Sequence, residues 1–205
     1  MREEKKNLVK EVYPFSRGDL KRLRKKLKES EKIVILSIID IGVNTALRYS
    51  DLSKLKFEDI CDDNSIRIIE KKTKKLKELK LNSVCICAIK NLKKYYKNKG
   101  NKYWDKGYIF KSQDRKYLKK NFEVDIPITN NSFNRYLKKY TKNIGINYNT
   151  GSHSLRKTWG KLYYEKYKDI GTVMKILNHS SEATTLRYIG FSRKKIYQIY
   201  ENFKI

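Results

Sequence analysis

Hydrophobic positions follow two different periods along this chain, and the changes of period mark its elements. Residues 1–15 are charged and aperiodic, close at Pro14, and read as an arm or linker. Leu20, Leu23 and Leu27 then recur on one helical face among lysines and arginines, which predicts a helix to about Glu29. Ser16 or Asp19 can cap it. Residues 31–47 are apolar on most sides, which predicts a buried helix. Arg48 is expected to end it, and Ser50 to cap a short helix in SDLSKL.

The period then shortens to two. FEDIC, SIRIIEKK and LKELKL read as three short strands, with turns at 62–64 and 73–75. Asn82 starts a helix through about Lys97. Residues 98–128 are irregular, with a short strand expected at 108–110 and a mobile loop or small insertion after it. Thr129 or Asn131 caps a helix to about Ile144, which Gly145 ends. Ser152 caps HSLRKTWGKLYYEKY; IGTVMKILN and SSEATTLRYIG are short helices; SRKKIYQIYENF is an amphipathic helix at 192–204. The expected fold is mainly α with a small antiparallel β-sheet (α+β), as one domain over residues 16–205.

Composition narrows the function. With 205 residues, the chain can bury a core without disulfides or a structural metal. Twelve per cent aromatic residues exclude a disordered basic tail. The net charge of +27 implies a polyanion partner, with nucleic acid ahead of an anionic membrane surface. A blander source of the lysine, a codon bias that also enriches Ile, Asn and Tyr, stands beside it. Cys61, Cys85 and Cys87 make no disulfide framework and read as reduced thiols, with Cys85 and Cys87 on a helix, at least one of them as a small apolar residue. The N-terminus has no apolar h-region. The longest apolar stretch, residues 33–43, is broken by Ser37 and Asp40 and is too short to span a bilayer. The expectation is cytoplasmic, with no membrane.

The chemistry centres on the two histidines. His153 precedes Arg156 by three residues, so both share a helix face. His179 stands nine residues before Tyr188. A tyrosine phenol can act as a nucleophile, but its ordinary pKa of ~10 calls for a base or for cations that stabilise the phenolate. Two guanidiniums can clamp the oxygens of a phosphodiester under attack, and a lysine or imidazole can protonate the leaving alkoxide. Fixed cations make a metal unnecessary for such a step, and no convincing carboxylate cluster of a metal-dependent nuclease is present. No cofactor is expected.

On these residues the chain resembles the catalytic domain of the tyrosine recombinase (phage integrase) family, from about residue 15 to the C-terminus and in family order. T-A-L-R-Y-S-D-L (45–52) is similar to the first arginine box, which makes Arg48 the first catalytic arginine and gives Asp51 a supporting place. E-K-K-T-K-K-L-K-E-L-K-L (70–81) is similar to the β-hairpin that carries a lysine before its turn. Lys72 takes that place through the K-T step, as general acid to the 5′ leaving oxygen, although Lys71, Lys74 and Lys75 crowd the same turn. H-S-L-R gives His153 and Arg156, and L-N-H-S-S-E-A-T-T-L-R-Y-I gives His179 and the nucleophile Tyr188.

The departures fall mostly on backbone positions. Ala46, Asn178, and Lys74 with Lys75 stand where glycine is usual, and Lys157 stands where histidine or another residue is often found. Members usually carry a core-binding domain ahead of the catalytic domain, and only about 15 residues precede it here. The chain is therefore either a fragment of a longer integrase or a catalytic-domain-only recombinase like those that invert promoter segments.

The resemblance implies site-specific cleavage and rejoining of double-stranded DNA through a 3′-phosphotyrosyl intermediate, without metal or ATP. It implies a monomer that assembles as a homo-tetramer on DNA, with accessory DNA-bending proteins as further partners. Helix 192–204 would dock on a neighbouring protomer or pack on its own. Tyr197 and Tyr200 are rival tyrosines that fit a packing face better. Two other readings stay open: a type IB-like topoisomerase, and a non-catalytic DNA-binding accessory protein of the same fold. In each reading DNA affinity falls steeply with salt, because lysine–phosphate contacts release counterions.

Overall fold

The computed structural model describes residues 11–114, 125–190 and 201–204. Residues 1–10 of the arm, 115–124 of the expected loop and 191–200 of the expected C-terminal helix, with Tyr197 and Tyr200, lie outside the described residues. The architecture is mainly helical with one two-stranded antiparallel sheet, as the patterning predicts.

Helix α1 spans Arg17–Glu29. Ser16 accepts from the Asp19 amide at 3.0 Å and the Asp19 carboxylate returns the contact, so both expected capping residues serve in one capping box. Leu20, Leu23 and Leu27 are buried on a second helix, α2 (Ile33–Thr45). Helix α2 is buried on most sides, because it also packs against α4 (Ser83–Asn98) and α6 (Ser152–Tyr167). Asn82 caps α4 as expected.

Helix α2 stops earlier than expected. Ala46 turns left-handed at φ 54°, so the helix ends at Thr45 rather than at Arg48. Arg48 instead takes the N-cap position of the short α3 (Tyr49–Leu52), and its carbonyl accepts from the Leu52 amide at 2.9 Å. Ser50, expected as that cap, donates to Asp51 instead.

Strands β1 (Ser65–Ile69) and β2 (Leu76–Lys80) pair from Ser65↔Lys80 to Ile69↔Leu76. FEDIC is not a third strand. Asp59 accepts from the Lys56 amide at 2.7 Å and winds Phe57–Asp59 into a 3₁₀ turn, leaving Ile60 a single bridge to Ile66. Residues 108–110 form no strand: Tyr108 makes an isolated bridge to Lys56 and the following Lys111 one to Pro127, and the apolarity of Ile109 and Phe110 reflects full burial.

Helix α5 (Asn130–Asn143) is capped by Thr129, and α7 (Ile170–Leu177) by Asp169. Helix α8 (Glu182–Tyr188) is capped by Ser181. Helix α6 begins at Ser152 with Gly151 in the cap position, where the Ser154 hydroxyl accepts from the Gly151 amide at 3.1 Å. Ser152, expected as the cap, gives its amide to Asn134. Cys85 is buried on α4 and Cys87 exposed. A main core joins α1, α2, α4, α5 and the loops, and a smaller cluster of Ala46, Val173, Leu177 and Ile189 seats α7 and α8 against α6. Gly160 permits that seat: a Cβ there would lie 2.8 Å from Ile189 Cγ2. Among the described residues, no helix is long and apolar enough to cross a membrane.

Candidate active site

The ends of these elements converge beside the smaller cluster. Arg156, on α6, is buried at 2% exposure. Its guanidinium donates to the carbonyls of Ala46 and Leu177, so one side chain staples the end of α2 to the end of α7. The left-handed turns at Ala46 and Asn178 (φ 48°) fall at or beside these two carbonyls. A glycine usual at each place would meet the same backbone need.

Arg48 lies 2.9 Å from Glu70, at the end of β1, and both are largely buried. The contact is one of charge without hydrogen-bond geometry, since among the described residues neither Arg48 Nη1 nor Glu70 Oε1 has a hydrogen-bond partner. Glu70 also accepts from the Thr73 hydroxyl at 2.7 Å. Burial works against ionisation of Glu70, but the Thr73 hydroxyl and the nearby Arg48 and Lys77 outweigh it and hold the carboxyl below its usual range. Asp51 ties α3 to the hairpin by accepting from the Lys71 amide at 3.0 Å. The first arginine and the hairpin turn are thus fixed to each other twice.

Tyr188 ends α8 with its ring perpendicular to that of His179, at 5.0 Å between centroids. Its hydroxyl lies within hydrogen-bond reach of Arg156. Burial raises the phenol above its ordinary pKa, and the charges of Arg156 and Arg48 pull against that rise. His179 Nδ1 is 3.1 Å from the Thr185 hydroxyl, which donates its only proton to the Ser181 carbonyl at 2.8 Å. Thr185 can therefore only accept from the imidazole, so Nδ1 carries the hydrogen and Nε2 is left as the basic nitrogen.

His153 stands exposed at the first turn of α6, near Arg156, Lys157, Arg48 and Lys72. Desolvation first, and these cations next, lower its pKa; desolvation, Arg156, Arg48 and Lys72 do the same to His179. Both imidazoles are thereby biased towards the neutral form at neutral pH. Lys72 is exposed on the hairpin turn, near enough to both histidines to act on their protonation. A cleft of about 530 Å³ runs past Arg48, Lys72, His153, Lys54 and Asn130. All six residues expected from the sequence thus lie around one centre.

Sequence reasoning missed four others. Glu70 carries no spacing signal. Lys77 donates to the Ile176 carbonyl at 3.0 Å and lies 4.0 Å from Glu70. Desolvation and the two arginines lower its pKa. The alternation of LKELK did contain that signal, since Lys77 and Leu79 share the inward face of β2. Thr185 is fully buried behind His179, and Lys157 lies over the Tyr188 ring. Cations outnumber carboxylates here, which prepares the cleft for an anion. Among the described residues, no three His, Cys, Asp or Glu side chains gather as a metal site.

A helical core, a two-stranded hairpin and a half-buried tyrosine beside two arginines and a histidine define a class, the catalytic domains of tyrosine recombinases. The sequence agrees: the model of the phage integrase family matches residues 15–194, and the chain belongs to that family. It is 31% identical over 162 residues to the probable integrase/recombinase YoeC of Bacillus subtilis (strain 168), covering 79% of this chain and 80% of that protein. It is 26% identical over 205 residues to a probable integrase/recombinase of Acholeplasma phage L2, covering 96% of this chain and 65% of that one. Among solved structures, the XerA recombinase superposes with a TM-score of 0.69 at 21% identity, covering 97% of this chain and 66% of that chain. XerH bound to palindromic difH, a post-cleavage complex, gives 0.67 at 18%, covering 93% of this chain and 53% of that one. The chain therefore spans 80% of YoeC and about half to two thirds of the other three.

Proposed function

We propose that this domain cleaves and rejoins double-stranded DNA as a site-specific recombinase, through a 3′-phosphotyrosyl intermediate. One observation carries the reading: Tyr188 stands beside Arg156, with the His179 ring at right angles to its own and Arg48 close enough to act on its ionisation. In the proposed step the Tyr188 oxygen forms a bond to the scissile phosphorus while the bond to the 5′ oxygen breaks. The phenol proton passes to an imidazole, for which the neutral His179 is suited, with His153 assisting. Arg48 and Arg156 stabilise the charge that develops on the non-bridging oxygens. Lys72 gives a proton to the departing 5′ oxygen. Its freedom supports that role over Lys77, which is committed to the Ile176 carbonyl. The 5′-hydroxyl of a partner strand reverses the step, so the phosphodiester bond energy is conserved and neither ATP nor a metal takes part.

Assembly on DNA as a homo-tetramer belongs to the same proposal, as do accessory DNA-bending proteins. Titles of related structures, among them a lambda integrase tetramer bound to a Holliday junction, support the first. The test is incubation with duplex DNA in EDTA, followed by SDS, with Tyr188→Phe alongside. The expected result is an SDS-resistant protein–DNA adduct from the wild type alone, together with strand exchange between two duplexes. Tight, salt-sensitive binding with no adduct would contradict the proposal.

A further inference from the structure

Lys157 follows Arg156 directly and takes no part in the chemistry above. Its side chain is 8% exposed, and among the described residues its ammonium meets two groups. One is the Glu11 carboxylate, at 2.7 Å. The other is the face of the Tyr188 ring, whose centroid lies 5.1 Å away. Glu11 is held in place by its own backbone, since its carbonyl accepts from the Asn149 side chain at 3.1 Å, and the adjoining Tyr13 amide donates to the Asn149 carbonyl.

We propose that Lys157 is a positioning residue that acts through Tyr188: its ammonium over the ring favours the phenolate, and Glu11 tempers that effect. A neutral aromatic ring attracts a cation only through its quadrupole. A phenolate spreads a full negative charge from oxygen into the same ring. The attraction therefore grows as the phenol ionises, which is the differential interaction that shifts an ionisation equilibrium. The groups facing Tyr188 divide the work. Arg156 and Arg48 act at the hydroxyl, His179 stands perpendicular to the ring, and Lys157 lies over its face. His153, which Lys157 disfavours as a cation, and Glu11 are the titratable groups beside Lys157 itself.

The meaning of this arrangement for catalysis rests on Tyr188 being the nucleophile, but its test does not. A fluorinated tyrosine placed at position 188 of the full chain brings its midpoint below the range in which lysines titrate. That midpoint is read by ¹⁹F NMR without DNA. Lys157→Met is expected to raise it by about one pH unit, a tenfold change in the ionisation equilibrium. Glu11→Gln is expected to lower it, and Lys157→Arg, which keeps the charge, to leave it nearly unchanged.

Coincident midpoints in all four proteins would overturn the inference and leave the recombinase reading intact. Shifted midpoints in a protein that never forms a DNA adduct would do the reverse. If Lys157→Met does not fold, Glu11→Gln still decides, because the Glu11 side chain is 56% exposed and its charge can be removed without opening the core. An unchanged midpoint there overturns the inference as well.

Discussion

Arg48 and Glu70 meet at 2.9 Å, joining the N-cap of α3 to the end of β1. The carboxylate is the only anion in direct ion-pair contact with Arg48 among the described residues, and Lys77 is 4.0 Å from it on the other side. Glu70 therefore offsets the mutual repulsion of the arginines and Lys77 while no phosphate is present.

Removing that charge is predicted to be costly. Glu70→Gln leaves buried cations uncompensated, and losing one partner of a buried pair destabilises by about 3–5 kcal/mol. Urea unfolding checks this. Sulfate, a mimic of the phosphate, is expected to restore more stability to the variant than it adds to the wild type. Equal sulfate effects would contradict the assignment.

Thr185 is predicted to matter for rate. Thr185→Val keeps the shape but removes the acceptor that fixes the His179 tautomer. Adduct formation should slow about tenfold, the equivalent of one hydrogen bond of ~1.4 kcal/mol, while Thr185→Ser stays near wild type. An unchanged rate in Thr185→Val would show that His179 needs no such partner.

Asp19 gives a stability that depends on pH. Burial opposes its ionisation, but hydrogen bonds from Ser16, Arg22 and Tyr148 prevail and bring its pKa down to about 2, from 3.8. A carboxylate depressed in the folded state stabilises above the unfolded pKa and loses that contribution as pH falls through the folded one. Asp19→Asn should therefore cost about 1–2 kcal/mol at pH 7. The difference should shrink between about pH 4 and pH 2, as seen by denaturant melts across that window. A constant difference would contradict the account.

Ala46 allows a comparison of backbone strain with burial. Its left-handed conformation costs an L-residue about 1–2 kcal/mol, against ~0.8 kcal/mol for the buried methyl and a glycine entropy of similar size. Ala46→Gly is therefore expected to be neutral within about 0.5 kcal/mol. Ala88→Gly, in the interior of α4, should cost at least about 1 kcal/mol. Equal losses at both sites would show that the turn at Ala46 stores no strain.

The helices were legible because their cues are local. Ser16, Asn82 and Thr129 cap where their sequence places them, and the leucines of α1 face the core. Patterning failed where a single side chain overrode it. Asp59 turned an apparent strand into a 3₁₀ turn, and Ala46 ended α2 early. Of the site, the residues carried by the family resemblance were legible; the structure places Arg48, Lys72 and His153 along one cleft and Arg156, His179 and Tyr188 close beside it. Glu70 and Lys157 were not, because each acts through a contact made only when distant elements pack; Thr185 was not, because its residue type does not say that its hydroxyl turns to the His179 ring six positions away. Glu70 reaches a helix cap across 22 positions, and Lys157 reaches Glu11 across 146. Lys77 was readable in principle, from strand alternation alone.

The most direct measurement identifies the residue bonded to DNA. Trypsin cuts after Arg187, Arg193 and Lys195, so Tyr188 falls on a different peptide from Tyr197 and Tyr200. Mass spectrometry of the nuclease-trimmed adduct is predicted to find a 3′-phosphonucleotide on the peptide that ends at Arg193, carried by Tyr188. A nucleotide on the peptide holding Tyr197 and Tyr200, or a linkage through a 5′ phosphate, would contradict the account.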